Sequence, residues 1–173
     1  ERDALIALYD ATNGDAWTNN TNWCTDADLS EWYGISMDNN GKVSSINLSS
    51  NNLTGTIPDE IGNLEALWIL NVPYNQLTGE IPASIGKLTR LRGLYLYRNQ
   101  LTGNIPPELG NMKQLAYCYL DDNQLTGTVP ETLGNLTELE YMDFGGNMLS
   151  GDLPQVVTSS SWWQKSGWVC IEQ

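Results

Sequence analysis

A 24-residue repeat occupies the middle of this 173-residue chain and restricts what the chain can fold into. The pattern Asn-x-Leu-Thr-Gly-x-Ile-Pro first runs from 51 to 58 and returns from Asn75, Asn99 and Asn123. A looser copy starts at Asn147. A fixed period of this length indicates stacked units that bury their apolar faces only against their neighbours. The sequence therefore predicts a solenoid with an elongated core.

Each repeated position has a physical reason. A Leu-x-x-Leu-x-Leu pattern, such as Leu91, Leu94 and Leu96, points inward from a short strand, and stacking makes these strands a parallel sheet. The Asn amide is suited to bond backbone groups that the following turn leaves unpaired, so stacked asparagines form a ladder. Gly gives the backbone freedom, and Pro fixes φ as the chain enters the opposite side. A second glycine belongs to a short helical turn there, at Gly62, Gly86, Gly110 and Gly134.

These motifs resemble the plant-type leucine-rich repeats, which build the ectodomains of receptor-like kinases and the polygalacturonase-inhibiting proteins. The resemblance covers Val43 to Pro154. It implies an α/β repeat solenoid: a right-handed superhelix with a parallel sheet on the concave face and short helical turns on the convex face, capped at both ends. It also implies that the chain binds other molecules and catalyses nothing.

The two ends are predicted to be caps around five repeats at 43–154. Residues 1–42 combine a helix at 3–12, a Trp-rich segment, and a strand at 33–37 that turns at 38–41 and pairs with the first repeat. This cap is similar to that of free-standing plant-type repeat proteins from algae and other protists. Residues 155–173 form the other cap, where we expect Trp162, Trp163 and Trp168 to seal the core.

The three cysteines bear on fold and location. Cys118 takes an inward leucine position, which predicts a buried free thiol. Cys24 and Cys170 lie in opposite caps, and five strands ~4.8 Å apart separate them by roughly 20 Å, beyond disulfide reach. The resemblance implies an extracellular or cell-surface location. The cap of this family usually contains a pair of cysteines. Met37 stands at the position of the second one, so that pair is missing here and an intracellular location stays open. Four Asn-x-Ser/Thr sequons favour secretion: Asn19, Asn47, Asn52 and Asn135.

Composition narrows the class of partner. A net charge of −13 argues against nucleic acid, which needs a basic footprint. The chain has no His and no nucleophile motif, so we expect no catalytic residues, no cofactor and no metal site. Asp121 and Asp143 are the best candidates for a catalytic pair of carboxylates, but an open concave face excludes little water, which argues against catalysis there. No apolar run reaches the ~18 residues of a membrane helix. We expect a monomer.

Aromatic residues are concentrated on the predicted concave face. Six of the eight tyrosines fall at its variable positions, all in repeats two to five. Cross-strand aromatic pairs alone stabilise a sheet by roughly 0.2–1 kcal/mol each, which would account for two or three of them. Tyr, Trp and Arg are also enriched at binding hot spots, which favours a ligand-binding role. The candidate binding residues are Trp68, Tyr74, Tyr95, Tyr97, Arg98, Tyr117, Tyr119, Asp121, Asp122, Tyr141 and Asp143.

Three ligand classes remain open. The favoured one is a protein or peptide on the tyrosine-rich face. The second is a carbohydrate or cell-wall glycan that stacks on the same tyrosines and bonds to the aspartates. Ice binding, known in the plant-type family, is the least favoured because it requires a flat threonine array. The repeat consensus already explains the threonine column, which is Thr54, Thr78, Thr102 and Thr126.

Overall fold

The computed structural model describes residues 1–159 of the chain. The helices and strands are, in chain order, α1 (Arg2–Ala11), β1 (Ile35–Met37), β2 (Val43–Asn47), β3 (Thr54–Thr56), β4 (Ile69–Asn71), β5 (Gln76–Thr78), β6 (Gly93–Tyr95), β7 (Tyr117–Tyr119), β8 (Thr126–Gly127), β9 (Tyr141–Asp143), β10 (Met148–Leu149) and α2 (Gln155–Thr158). Four repeats each add a 3-10 turn, at Asp59–Asn63, Ala83–Lys87, Pro107–Asn111 and Glu131–Asn135.

The main sheet follows the predicted stacking of the repeats. Its strand order is β1-β2-β4-β6-β7-β9, and every pair from β2 onward is parallel. β1 pairs with β2 in the antiparallel hairpin that the sequence predicted, with Ile35 opposite Ile46. This added strand covers what would be an open sheet edge, where unpaired backbone groups invite association. The concave sheet and the stacked 3-10 turns together confirm the α/β repeat solenoid.

The core is a column of inward apolar side chains that runs through the repeats. Leu91, Leu94 and Leu96 are fully buried, and Cys118 is fully buried at the equivalent inward position. Burial raises the pKa of the Cys118 thiol, because the thiolate would lose its hydration. The prediction of a buried free thiol is confirmed. Cys24 is exposed, whereas Cys170, like the tryptophans of the C-terminal cap, lies outside the described residues.

The N-terminal cap closes the core with aromatic side chains. Leu5 and Leu8 of α1 are buried, as the sequence predicted. Trp23 lies between Trp17 and Trp32, with ring centroids 4.8 and 5.0 Å away. These tryptophans are 1–5% exposed, so their role in this cap is packing.

In the asparagine ladder, the side-chain amide of each Asn forms hydrogen bonds with backbone groups of neighbouring repeats. Asn99 Nδ2 donates to the carbonyl of Leu96 in its own repeat and to that of Val72 in the preceding repeat, both at 3.1 Å. Its Oδ1 accepts the N–H of Leu77 at 3.0 Å. Asn123 repeats this pattern one unit along. Each amide therefore satisfies groups of two neighbouring repeats, which locks their stacking distance.

A second row of short parallel pairings lies beside the main sheet, and the sequence analysis did not predict it. β3 pairs with β5 and β8 pairs with β10. Thr78 Oγ1 donates to the carbonyl of Gly55 at 3.0 Å, and Thr126 Oγ1 donates to that of Gly103 at 3.3 Å. The threonine column therefore holds repeats together.

Candidate ligand-binding face

The register of the main sheet arranges the concave side chains in columns. Tyr95 of β6 lies opposite Tyr119 of β7, which lies opposite Asp143 of β9. In the first two repeats the same column holds Asn47 and Asn71, whose amides bond to each other at 2.9 Å. The face therefore changes from amide to aromatic and then to acidic along the solenoid.

Three tyrosines form a continuous stack across the C-terminal half of this face. The rings of Tyr95 and Tyr119 are 5.3 Å apart with an interplanar angle of 21°, and those of Tyr119 and Tyr141 are 4.8 Å apart at 25°. Such offset contacts contribute about 0.5–1.5 kcal/mol beyond burial. Tyr95 reaches this position by lying over Gly93, where a Cβ would be only 2.6 Å from the Tyr95 ring. This packing leaves Tyr95, Tyr119 and Tyr141 only partly exposed.

A shallow recess of about 440 Å³ opens beside this stack. It is lined by four tyrosines, one arginine and two aspartates: Tyr74, Tyr95, Tyr97, Tyr119, Arg98, Asp121 and Asp143. All seven belong to the set predicted from the sequence. Parallel stacking brings them together because each repeat contributes side chains from the same two or three positions.

Asp121 is the most perturbed carboxyl group on this face. Loss of hydration raises its pKa from 3.8 to about 6, with a further increase from the charge of Asp143. Its Oδ1 is buried and accepts no hydrogen bond from the described residues. The Asp143 carboxylate, in contrast, accepts the N–H of Gly145 at 2.9 Å and the hydroxyl of Tyr141 at 3.3 Å. The two carboxylates therefore differ: Asp143 has partners, and Asp121 has one oxygen without any.

Arg98 is fixed at the rim of the recess by two contacts. Its Nε donates to Asp122 at 3.1 Å, and its guanidinium lies 5.0 Å from the ring centroid of Tyr74. Tyr74, Arg98 and Asp122 share a backbone feature, because each has a φ of +53 to +55°. This left-handed conformation is uncommon for residues other than Gly, Asn and Asp. The one sequence signal for this conformation is Gly146, which takes the same position in the last repeat and also has a positive φ.

The remaining predicted residues do not line the recess. Trp68 is 46% exposed and stands beside Ile69, which is 40% exposed and which the sequence analysis did not select. The signal for Ile69 was its place at a variable concave position of its strand. Tyr117 donates its hydroxyl to Glu140 at 2.6 Å, so it is held away from the stack. Trp68 and Ile69 extend the face toward the N-terminal repeats as exposed contact area, whereas Tyr117 adds exposed area on β7, the strand of Tyr119.

The described residues contain no group of three His, Cys, Asp or Glu side chains that could hold a metal ion. Nor does any helix within residues 1–159 combine the length and hydropathy needed to cross a membrane.

The chain belongs to the leucine-rich-repeat family. A family model described as a leucine-rich repeat region matches residues 45–159, which include all but the first two residues of the repeats and the whole candidate site. Comparison with curated proteins gave no match.

Solved structures of plant receptor ectodomains share the fold. The BIR2 ectodomain from Arabidopsis thaliana is 28% identical, with a TM-score of 0.85, and the match covers 99% of this chain and 94% of that one. A chain of the BIR3–SERK2 complex, also from Arabidopsis thaliana, is 28% identical, with a TM-score of 0.82 and coverage of 95% and 90%. The Arabidopsis receptor kinase HAESA, solved with the peptide hormone IDA and the co-receptor SERK1, is 26% identical, with a TM-score of 0.82 and coverage of 93% of this chain but 28% of that one.

Proposed function

We propose that this chain is a non-catalytic recognition module that binds a protein or peptide on its concave face, with the tyrosine stack as the centre of the site. The observation that carries the proposal is the stack of Tyr95, Tyr119 and Tyr141 beside an open recess. Aromatic anchors next to a concavity are typical of binding hot spots.

The similar structures support this class of partner. HAESA is solved with a peptide hormone and a co-receptor, and a chain of the BIR3–SERK2 complex also matches. Because the similar structures include ectodomains of receptor kinases, HAESA among them, we infer an extracellular setting for this chain too.

A glycan ligand is the second candidate, and one observation favours it. The tyrosine rings are partly exposed beside aspartate carboxylates, which can accept hydrogen bonds from the hydroxyl groups of a sugar. The stack, however, presents ring faces mainly to other rings, which leaves less face area for a sugar. Ice binding has weaker support, because two hydroxyls of the threonine column donate to backbone carbonyls.

The experiment is a pair of screens with matched variants. The wild-type domain and the double variant Tyr95→Ala/Tyr119→Ala are used in a pull-down from secreted proteins and on a glycan array. A micromolar protein or peptide ligand should be lost from the double variant, since a central aromatic anchor contributes about 2 kcal/mol or more. Glu60→Ala/Glu131→Ala, which changes exposed convex residues, serves as the control and should keep binding.

The outcomes separate the hypotheses. Capture of proteins that depends on the two tyrosines supports peptide or protein recognition. Tyrosine-dependent binding to glycans alone would replace it with carbohydrate recognition. If the convex variant lost binding and the tyrosine variant kept it, the concave site would be wrong. Circular dichroism of both variants must first show an intact fold.

A further inference from the structure

The recess carries negative charge that residues 1–159 balance only in part. Asp121 and Asp143 both line it, whereas Arg98, the cation of the lining, is already paired with Asp122. A ligand group that enters the recess therefore meets two carboxylates that form no salt bridge with any described residue. This favours a cationic group over a neutral or anionic one.

Asp121 supplies the most specific element of this preference. Its Oδ1 is buried, and no described residue donates a hydrogen bond to it. An acceptor without a donor raises the free energy of the ionised carboxylate. Because the Asp121 carboxyl group lines the recess, a cation bound there would offset part of this cost, and it would do so more than a neutral group could.

The tyrosines add the second element. Cations are attracted to aromatic rings, more strongly in desolvated sites. The chain shows this combination at the rim, where the Arg98 guanidinium contacts both the Tyr74 ring, at 5.0 Å, and the Asp122 carboxylate, at 3.1 Å. Tyr97 and Tyr119 line the recess with Asp121 in a similar combination of ring and carboxylate, and no described cation forms a salt bridge with this carboxylate.

We propose that the recess binds a lysine or arginine side chain of a peptide ligand, with the Asp121 carboxylate as counter-ion and Tyr97 and Tyr119 as walls. This inference rests on the proposed function of the concave face and specifies its ligand. The net charge of −13 would increase the rate at which a basic peptide reaches the site.

Binding of a cation is coupled to the ionisation of Asp121. The groups around it are Asp122, Asp143 and Arg98, together with the weakly acidic hydroxyls of Tyr97, Tyr119 and Tyr141. With a pKa of about 6, Asp121 is mostly protonated at pH 5 and mostly ionised at pH 7.5. If the cation binds only the ionised form, its affinity should rise about tenfold over this range.

The experiment begins with a random 12-residue peptide display library. Peptides are selected on the wild-type domain and counter-screened on Tyr95→Ala/Tyr119→Ala, so that only concave-face binders remain. In the strongest of these peptides, each Arg is replaced by citrulline and each Lys by norleucine. Affinities are then measured from pH 5 to 7.5 for the wild type, for Asp121→Asn, which retains size, and for the exposed control Asp59→Asn.

We expect one neutral replacement to lower affinity at least about tenfold for the wild type and for Asp59→Asn, as for loss of a partly buried charge pair. The same replacement should have little effect on Asp121→Asn, whose affinity should also be flat with pH. Concave-face peptides that tolerate every neutral replacement would overturn this inference and leave the proposed function standing. If no selected peptide depended on the tyrosines, both would fail. An equal loss in Asp121→Asn would exclude Asp121 as the counter-ion.

Discussion

At the scale of single residues, two kinds of polar group are buried in this solenoid, and they have opposite effects on stability. The ladder asparagines Asn51, Asn75, Asn99 and Asn123 are buried, and their amides are satisfied by backbone groups. Asp121 is partly buried, and one of its oxygens has no partner among residues 1–159. The paired asparagines stabilise the packing of one repeat on the next, whereas the unpaired oxygen of Asp121 costs free energy and is located at the binding face.

We expect Asn99→Ala to lower the free energy of unfolding by about 1–3 kcal/mol, because buried backbone groups of two repeats lose their partners. Asn123→Ala should behave alike. Denaturant unfolding measures both. Asn71→Ala is the matched control. Among residues 1–159 the Asn71 amide bonds only to the exposed Asn47 side chain, so the unfolding midpoint of this variant should change little. Unchanged midpoints for both ladder variants would contradict this role.

Asp121 should make stability depend on pH in an unusual direction. Its folded pKa, about 6, lies above its ordinary value of 3.8, so the folded state binds more protons between these values. Its contribution to stability therefore decreases as pH rises from about 4 to about 6. Asp121→Asn should be more stable than the wild type at pH 7.5, and the difference should vanish near pH 4. Thermal unfolding across this range is the measurement, and a difference independent of pH would contradict the argument.

At the scale of elements, the 3-10 turns stack because glycine allows one turn to approach the next. A Cβ on Gly110 would lie 2.3 Å from the backbone oxygen of Thr132 in the following repeat. Backbone cannot move aside without changing the spacing of the repeats. The glycine is therefore required by a neighbour 22 residues away, because at this position its own φ is not in the left-handed region.

We expect Gly110→Ala to destabilise the domain by about 1–3 kcal/mol, as for other overpacked sites. Asn111→Ala, on the same turn but exposed, is the control and should change the unfolding midpoint little. Chemical denaturation of both variants is the test. Equal stability of Gly110→Ala and the wild type would mean that the turns can separate at low cost.

At the scale of the whole molecule, stability is a sum of contacts between neighbouring repeats. β6 pairs only with β4 and β7 in the main sheet, and their partners are always 24 residues apart in register. A complete repeat should therefore be removable if the period is preserved.

Deletion of residues 91–114 joins Arg90 to Leu115 and keeps every inward leucine in phase. We expect this variant to unfold cooperatively with a smaller m-value, because less surface is buried. It should also lose ligand binding, because the deletion removes Tyr95, Tyr97 and Arg98. Deletion of 95–114 removes fewer residues but breaks the period, so it should not fold cooperatively. Circular dichroism during urea unfolding distinguishes them, and equal behaviour would refute a repeat-by-repeat description.

Much of the fold could be predicted because the 24-residue period determines which residues lie opposite each other in adjacent strands. The inward leucines, the buried Cys118, the capping hairpin and the opposition of Tyr95 and Tyr119 all follow from one register. The exact bounds of α1 and the second row of parallel pairing were less accessible, because they depend on local backbone bonds that no single repeated residue demands.

The sequence by itself determined the repeat spacing, the inward and outward sides of each strand and the set of residues on the concave face. Only the tertiary structure decided that Tyr141 stacks on Tyr119, that Tyr117 turns to Glu140, and that one oxygen of Asp121 is left without a donor. The physical reason is that a periodic pattern specifies backbone position along the solenoid. Side-chain direction and hydration instead depend on the particular neighbours in adjacent strands, 24 residues away in the chain.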